Sequence, residues 1–152
     1  INGRIIKNKA FHFPQNKNVI MIANGTGIAP FLGMIDENSS KTEIHLYAGF
    51  RHHNTTTKNY EIFAEQQKKM NKLNQLHFAF SREENKHYVM DLVQRDANFI
   101  AESLQNGTVI MICGALAMQY DVEKVLEEIC QKHLHKSFEE FKQNGQFLTD
   151  CY

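Results

Sequence analysis

Apolar residues along this chain fall into two alternating rhythms. Dense short runs occupy residues 19–23, 43–48, 76–80 and 109–113, and a last apolar stretch runs through 146–152. Runs of that length, closed by glycine or polar residues, predict strands; residues 19–23 are apolar throughout, as in a strand covered on both faces. Between the runs the spacing changes to that of helices. One helix is predicted from Pro30 to about Glu37, ahead of a polar turn at 36–40. A second spans 57–71, with Tyr60, Phe63 and Ala64 on one face. Leu92, Val93, Phe99, Ile100 and Leu104 keep one helical face up to Gly107. Met118, Val122, Val125, Leu126 and Ile129 recur at i, i+4, i+7, i+8 and i+11, the cleanest helical pattern of the chain. Ser137-x-x-Glu140 has the form of a capping box before a short helix carrying Phe138 and Phe141.

Strand and helix alternate throughout, which predicts an α/β fold: a doubly wound, parallel, five-stranded sheet with helices on both faces. Such sheets bind ligands beyond the carboxyl ends of their strands, near the point where strand order reverses. The residues at those ends are polar or glycine: Gly25-Thr26-Gly27, Gly49-Phe50-Arg51, Ser81-Arg82, Cys113-Gly114 and Asp150-Cys151-Tyr152. Residues 1–17, with Ile1, Ile5, Ile6 and Phe11 to Phe13 before Pro14, read as an extended lead-in to a domain at 18–152.

Composition narrows the function classes. The chain has 152 residues, 42% hydrophobic and 22% charged, with formal net charge +0. That is enough to bury a core, and no global field favours nucleic acid or a membrane surface. No apolar run approaches the roughly 20 residues that span a bilayer. Anion binding must therefore come from local clusters. Three cysteines, Cys113, Cys130 and Cys151, without a C-x-x-C spacing, argue against a disulfide scaffold or a zinc site and suit a reducing compartment. The expectation is a soluble domain on the cytoplasmic side, taken from a longer chain because residue 1 is not Met. The longer protein could carry a membrane anchor.

The turn after the first strand sets the candidate chemistry. Glycines let a backbone approach a ligand closely, and a helix N-terminus attracts anions. Gly25-Thr26-Gly27 alone is also compatible with a plain turn; it matches neither the G-x-G-x-x-G fingerprint nor the G-x-x-x-x-G-K-[ST] phosphate loop. Arg82 and Lys86 supply fixed positive charge, and an arginine fork matches phosphate oxygens. Read alone, S-R-E-E-N-K is also a solvated turn with cancelling charges. His52-His53 and His133-x-His135 lack acidic or thiolate partners at ligand spacing, so no metal site is expected.

Taken together, these segments resemble the NADP-binding domain of the ferredoxin–NADP reductase superfamily, closest to the diflavin reductases of the sulfite reductase flavoprotein and NADPH–haemoprotein reductase type. The segments are G-T-G-I-A-P-F at 25–31, Gly49-Phe50-Arg51, Ser81-Arg82 with Lys86 and Tyr88, Ile112-Cys113-Gly114 with Met118, and the ending Asp150-Cys151-Tyr152. The resemblance implies an NADPH-binding domain that presents its cofactor to FAD held mainly on a preceding domain, whose tail would be residues 1–17. Electrons would then pass to FMN or another acceptor domain or protein. It implies that Gly25, Thr26, Gly27, Arg51, Ser81, Arg82, Lys86, Tyr88, Gly114 and Met118 bind the cofactor. Arg82 and Lys86 would select the 2′-phosphate. Cys113 would lie by the nicotinamide, Asp150 would position that cysteine and stabilise charge during transfer, and Tyr152 would stack on the flavin. Asn24, Ala115, Met90 and a short turn from Ser81 to Lys86 depart from the pattern. The alternative is a binding module that keeps the fold and responds to NADP without chemistry.

Overall fold

A computed structural model describes residues 11–39 and 42–152. Ile1, Ile5 and Ile6 of the expected lead-in, and Ser40 of the polar turn, lie outside the described residues. Five strands alternate with helices: β1 (Val19–Asn24), α1 (Ile28–Asp36), β2 (Ile44–Phe50), α2 (Thr55–Lys69), β3 (Gln75–Phe80), α3 (Val89–Arg95), α4 (Ala97–Gln105), β4 (Val109–Gly114), α5 (Leu116–Leu134), α6 (Phe138–Gln143) and β5 (Phe147–Cys151). All pairings are parallel, in the order β3-β2-β1-β4-β5. The chain builds outward from β1 in one direction, then returns and builds outward in the other. The reversal lies between β1 and β4, where Ala23 pairs with Cys113.

Alternate residues of β1 feed two cores. Ile20 and Ile22 join Val93, Ile100, Val122, Leu126 and Phe138 from α3 to α6 on one face. Val19, Met21 and Ala23 join Ile28, Phe31, Ile35 and Ala64 from α1 and α2 on the other. Val19 through Ala23 are all 0% exposed. Burying a side chain of this size contributes about 1.5–3 kcal/mol, so the central strand anchors both layers.

Element boundaries shift from the sequence expectation for identifiable reasons. A 3₁₀ turn at Gly25–Gly27 leads directly into α1, so helical structure starts before Pro30. Pro30 is tolerated because its missing N–H falls in the first turn. Helix α2 starts at Thr55 because Asn54 Oδ1 accepts the Thr57 amide at 3.0 Å while Thr57 Oγ1 accepts the Asn54 amide at 2.8 Å. The continuous apolar face from Leu92 to Leu104 is divided between α3 and α4. At Asp96 the backbone leaves helical geometry, and its carboxylate accepts the Tyr47 hydroxyl at 2.7 Å and Arg95 Nε at 2.9 Å. Both short helices still pack on the same core, which is why the periodicity runs across the break.

The expected capping box at Ser137 closes differently. Ser137 Oγ accepts from the Glu139 amide, and the carboxylate that receives the Phe138 amide belongs to Glu127 on α5, not to Glu140. Buried Gln146 donates to the carbonyls of Leu104 and Thr108, joining the end of α4 to the start of β4.

Candidate nucleotide-binding site

A cavity of ≈ 820 Å³ lies over the carboxyl edge of the sheet. Asn24, Gly25 and Thr26 bound it from β1, and Gly49, Phe50 and Arg51 from β2. Ser81, His87 and Tyr88 approach from the loop after β3, Met118 and Asp121 from α5, and Tyr152 from the C-terminal end. The volume is that of a site for a large small molecule.

The floor is built by close backbone packing. A Cβ placed on Gly27 would lie 2.2 Å from the Cys113 carbonyl oxygen, so the turn after β1 rests directly on the end of β4. Gly114 has φ +146, and a Cβ there would meet Asn24 Oδ1 at 2.1 Å. That same Oδ1 accepts the Ala115 amide at 2.8 Å. Asn24 thus ties the switch point together across 91 residues of sequence. In front of Gly25 there is open space. No side chain caps the 3₁₀ turn, α1 or α5 at its N-terminus. Helix N-termini without a side-chain cap favour an anion, although here the first amide of α1, Ile28, already donates to the Gly25 and Thr26 carbonyls, and that of α5, Leu116, donates to the Tyr152 carbonyl.

Tyr152 crosses above this floor. Its amide donates to the Gly114 carbonyl at 3.0 Å, its carbonyl accepts the Leu116 amide at 2.9 Å, and its hydroxyl lies 2.9 Å from Thr26 Oγ1. The residue is nonetheless 73% exposed. A hydrogen-bonded aromatic with an open face offers a stacking surface.

Positive charge gathers at the opposite end. The loop after β3 is closed at its base by the His87 amide on the Phe80 carbonyl, 3.1 Å. The Ser81 and Arg82 amides donate to the Phe50 and Arg51 carbonyls, both at 2.8 Å. The base residues Ser81 and His87 therefore face the cavity, while Arg82 and Lys86 belong to the exposed part of the loop. Lys86 Nζ stands 5.5 Å from the centre of the Tyr88 ring. Glu83 accepts the His53 amide at 2.7 Å and lies 3.7 Å from His52 Nδ1, so its charge secures the neighbouring loop. Among the described residues no carboxylate lies within ion-pair distance of Arg51, Arg82 or Lys86.

Of the residues singled out in the sequence, Gly25, Thr26, Arg51, Ser81, Tyr88, Met118 and Tyr152 share the cavity wall. Gly27 and Gly114 lie beneath it as packing contacts. Cys113 is 3% exposed and packs with Ala23 and Ile28 on the α1 side of the sheet, off the cavity wall. Burial, with Asp150 and Cys151 adding, pushes its thiol up to about 11, so it is a protonated, neutral group at physiological pH. Asp150 is exposed and pairs in register with Cys113, also off the wall.

Sequence reasoning missed Asn24 as a tie, and His52 and His87 as wall residues. Asn24 had a signal, a polar side chain ending a strand otherwise wholly apolar. His52 had a weaker one, its place directly after Arg51 at a strand end.

An open parallel sheet with an anion-receptive cavity over its switch point defines a nucleotide-binding α/β module. The sequence profile of the family described as Oxidoreductase NAD-binding domain matches residues 21–124, and the chain belongs to that family. The sulfite reductase [NADPH] flavoprotein alpha-component of Buchnera aphidicola subsp. Acyrthosiphon pisum is 32% identical over 95% of this chain and 26% of its own length. That of Aliivibrio fischeri is 36% identical over 90% of this chain and 24% of its own. The bifunctional cytochrome P450/NADPH--P450 reductase of Bacillus cereus is 33% identical over 88% of this chain and 13% of its own. The chain thus spans about a quarter of the sulfite reductase relatives it matches. No described helix is long and apolar enough to cross a membrane.

Proposed function

We propose that this chain is the NADPH-binding part of a flavin-dependent reductase. The observation that carries the reading is the cavity at the switch point of a family-matched sheet, with an uncapped glycine turn at one end and, at the other, Arg51, which has no carboxylate at ion-pair distance among the described residues. The residues fit the group. The turn at Gly25–Gly27 and the N-terminus of α5 would receive the pyrophosphate. Arg51, Ser81 and Tyr88, with Arg82 and Lys86 from the loop, would hold the adenosine end and its 2′-phosphate. Thr26, Met118 and Tyr152 would position the nicotinamide end.

Bound NADPH would supply a hydride, FAD on a separate domain of the same protein would be its acceptor, and a further domain or protein would take the electrons onward. The chain's own residues bind and orient. The open face of Tyr152 provides a flat apolar surface at the hydride end. Cys113, neutral and buried beneath the turn, supports the floor, and Asp150 borders it from β5. Tying the floor through Asn24, Gly27 and Gly114 fixes the geometry on which hydride transfer depends. The coenzyme selected by this site, the flavin partner and the final acceptor all belong to this proposal.

The test is reduction of an artificial electron acceptor by NADPH, using the protein together with its flavin-bearing region. NADPH-dependent turnover lost in a Thr26→Val, Arg51→Ala double variant with normal flavin content is expected. Normal flavin loading with no NADPH-dependent reduction in the parent protein would overturn the reading in favour of a binding module without chemistry.

A further inference from the structure

The cavity's cationic end holds two histidines that the coenzyme reading leaves unused. The loop after β3 is pinched shut by the His87 amide on the Phe80 carbonyl, which brings His87 and Ser81 to the wall. His87 Nδ1 lies 2.9 Å from the Asn85 carbonyl. A carbonyl only accepts, so Nδ1 carries the proton there and Nε2 is left for another partner. His52 faces the same space from the end of β2, next to Arg51. Its Nδ1 is oriented by Glu83, 3.7 Å away.

We propose that His52 and His87 are proton-dependent ligands of the phosphate on the adenosine ribose, acting beside the fixed charges of Arg51, Arg82 and Lys86. The inference rests on the NADPH reading of this cavity. A neutral imidazole offers one N–H; a protonated one offers two and a full charge. Preference for a 2′-phosphorylated nucleotide should therefore strengthen as pH falls from about 8.5 to about 6.5. The titratable groups that share the wall with the pair are Arg51 after β2, Tyr88 after β3 and Asp121 from α5; Glu83 lies 3.7 Å from His52, and Glu61 from α2 is engaged by His53 Nε2 at 2.8 Å. Glu83 lies against His52, and its charge opposes that of the phosphate. The acid Asp91 is occupied by the Tyr88 amide at 2.8 Å.

The experiment is calorimetric titration of the protein with 2′,5′-ADP and with 5′-AMP at pH 6.5, 7.5 and 8.5. Parent, His52→Gln, His87→Gln, the double variant, His87→Lys and the control His53→Gln are compared. The parent's preference for 2′,5′-ADP should fall about tenfold across that range, the size of one charge-assisted hydrogen bond. The double variant should lose most of the preference at pH 6.5 and show a flat profile, with 5′-AMP affinity unchanged as proof of folding. His87→Lys should keep the preference at pH 8.5, and His53→Gln should follow the parent. A double variant whose preference and pH profile match the parent overturns the histidine assignment while leaving the NADPH reading intact. A parent that binds neither nucleotide, or both equally at every pH, overturns the NADPH reading itself.

Discussion

Gly27 and Gly33 lie six residues apart, and the structure predicts opposite outcomes when each becomes alanine. At Gly27 the new Cβ would sit 2.2 Å from the Cys113 carbonyl oxygen, 2.6 Å from its carbon and 2.8 Å from Gly114 Cα. Ordinary carbon–oxygen contacts are about 3.3–3.6 Å, so the turn and β4 must separate by about 1 Å. All three atoms are backbone, and β4 is held on both sides by β1 and β5, so no side chain can rotate aside. Overpacking costs about 1–3 kcal/mol, and the rigid partner places this case at the upper end. For a domain of this size each kcal/mol lowers Tm by about 2–4 °C, giving a loss of about 6–12 °C. Gly33 is exposed inside α1, with nothing near its added Cβ, so alanine there stabilises by about 0.5–1 kcal/mol. Thermal unfolding of both variants by circular dichroism, with nucleotide titration of each, checks the pair. Gly27→Ala should also weaken nucleotide binding, and Gly33→Ala should not. A Gly27→Ala protein that melts within about 2 °C of the parent would refute the packing of the floor.

Asn24→Ala should cost about 1–3 kcal/mol by leaving the Ala115 amide without its acceptor, and faster hydrogen exchange at that amide would identify the cause. Native Cys113, with its thiol pushed up to about 11, should resist iodoacetamide at pH 8 because only about one molecule in a thousand is thiolate, while the half-buried Cys151 is labelled first; equal labelling rates would contradict this. Burial holds His45 and His77 below the ordinary histidine value, so the unfolded chain binds more protons and stability falls as pH drops through about 6.5 and below. Urea unfolding at pH 7.5 and 5.5 should show a smaller loss in a His45→Gln, His77→Gln variant. Arg95, and then Tyr47, hold the Asp96 carboxyl below the usual carboxylate range. Its contribution is present above about pH 4 and lost as pH falls through the folded value, so Asp96→Asn should flatten the acid limb of the stability curve.

The sheet was legible because buried parallel strands leave little ambiguity. Val19 to Ala23 has no polar residue to face water, and the periods of the intervening helices are regular. Strand order was not legible, since nothing local says that β4 returns to pair with β1. The ends of elements were less legible than their existence. Asp96 breaks a continuous apolar face through contacts with Tyr47, a residue on another strand. Glu127 caps α6 from the preceding helix, in place of the local Glu140. At the site, the glycine turn, Arg51, Ser81 and Tyr152 could be placed because strand ends in such sheets converge on one edge. Spacing could not separate Gly25, which faces open space, from Gly27, which packs on backbone. Nor could it show that the loop after β3 closes at His87 and so turns Ser81 and His87 inward, away from Arg82 and Lys86.

The central claim is that this cavity selects a phosphorylated nicotinamide dinucleotide. Titration of the protein with NADP⁺ and NAD⁺ under identical conditions tests it most directly. Charge-assisted hydrogen bonds to the 2′-phosphate should make NADP⁺ bind at least about tenfold tighter than NAD⁺, with the difference shrinking in Arg51→Ala and Arg82→Ala. Equal affinity for the two, or binding of neither, would contradict the account.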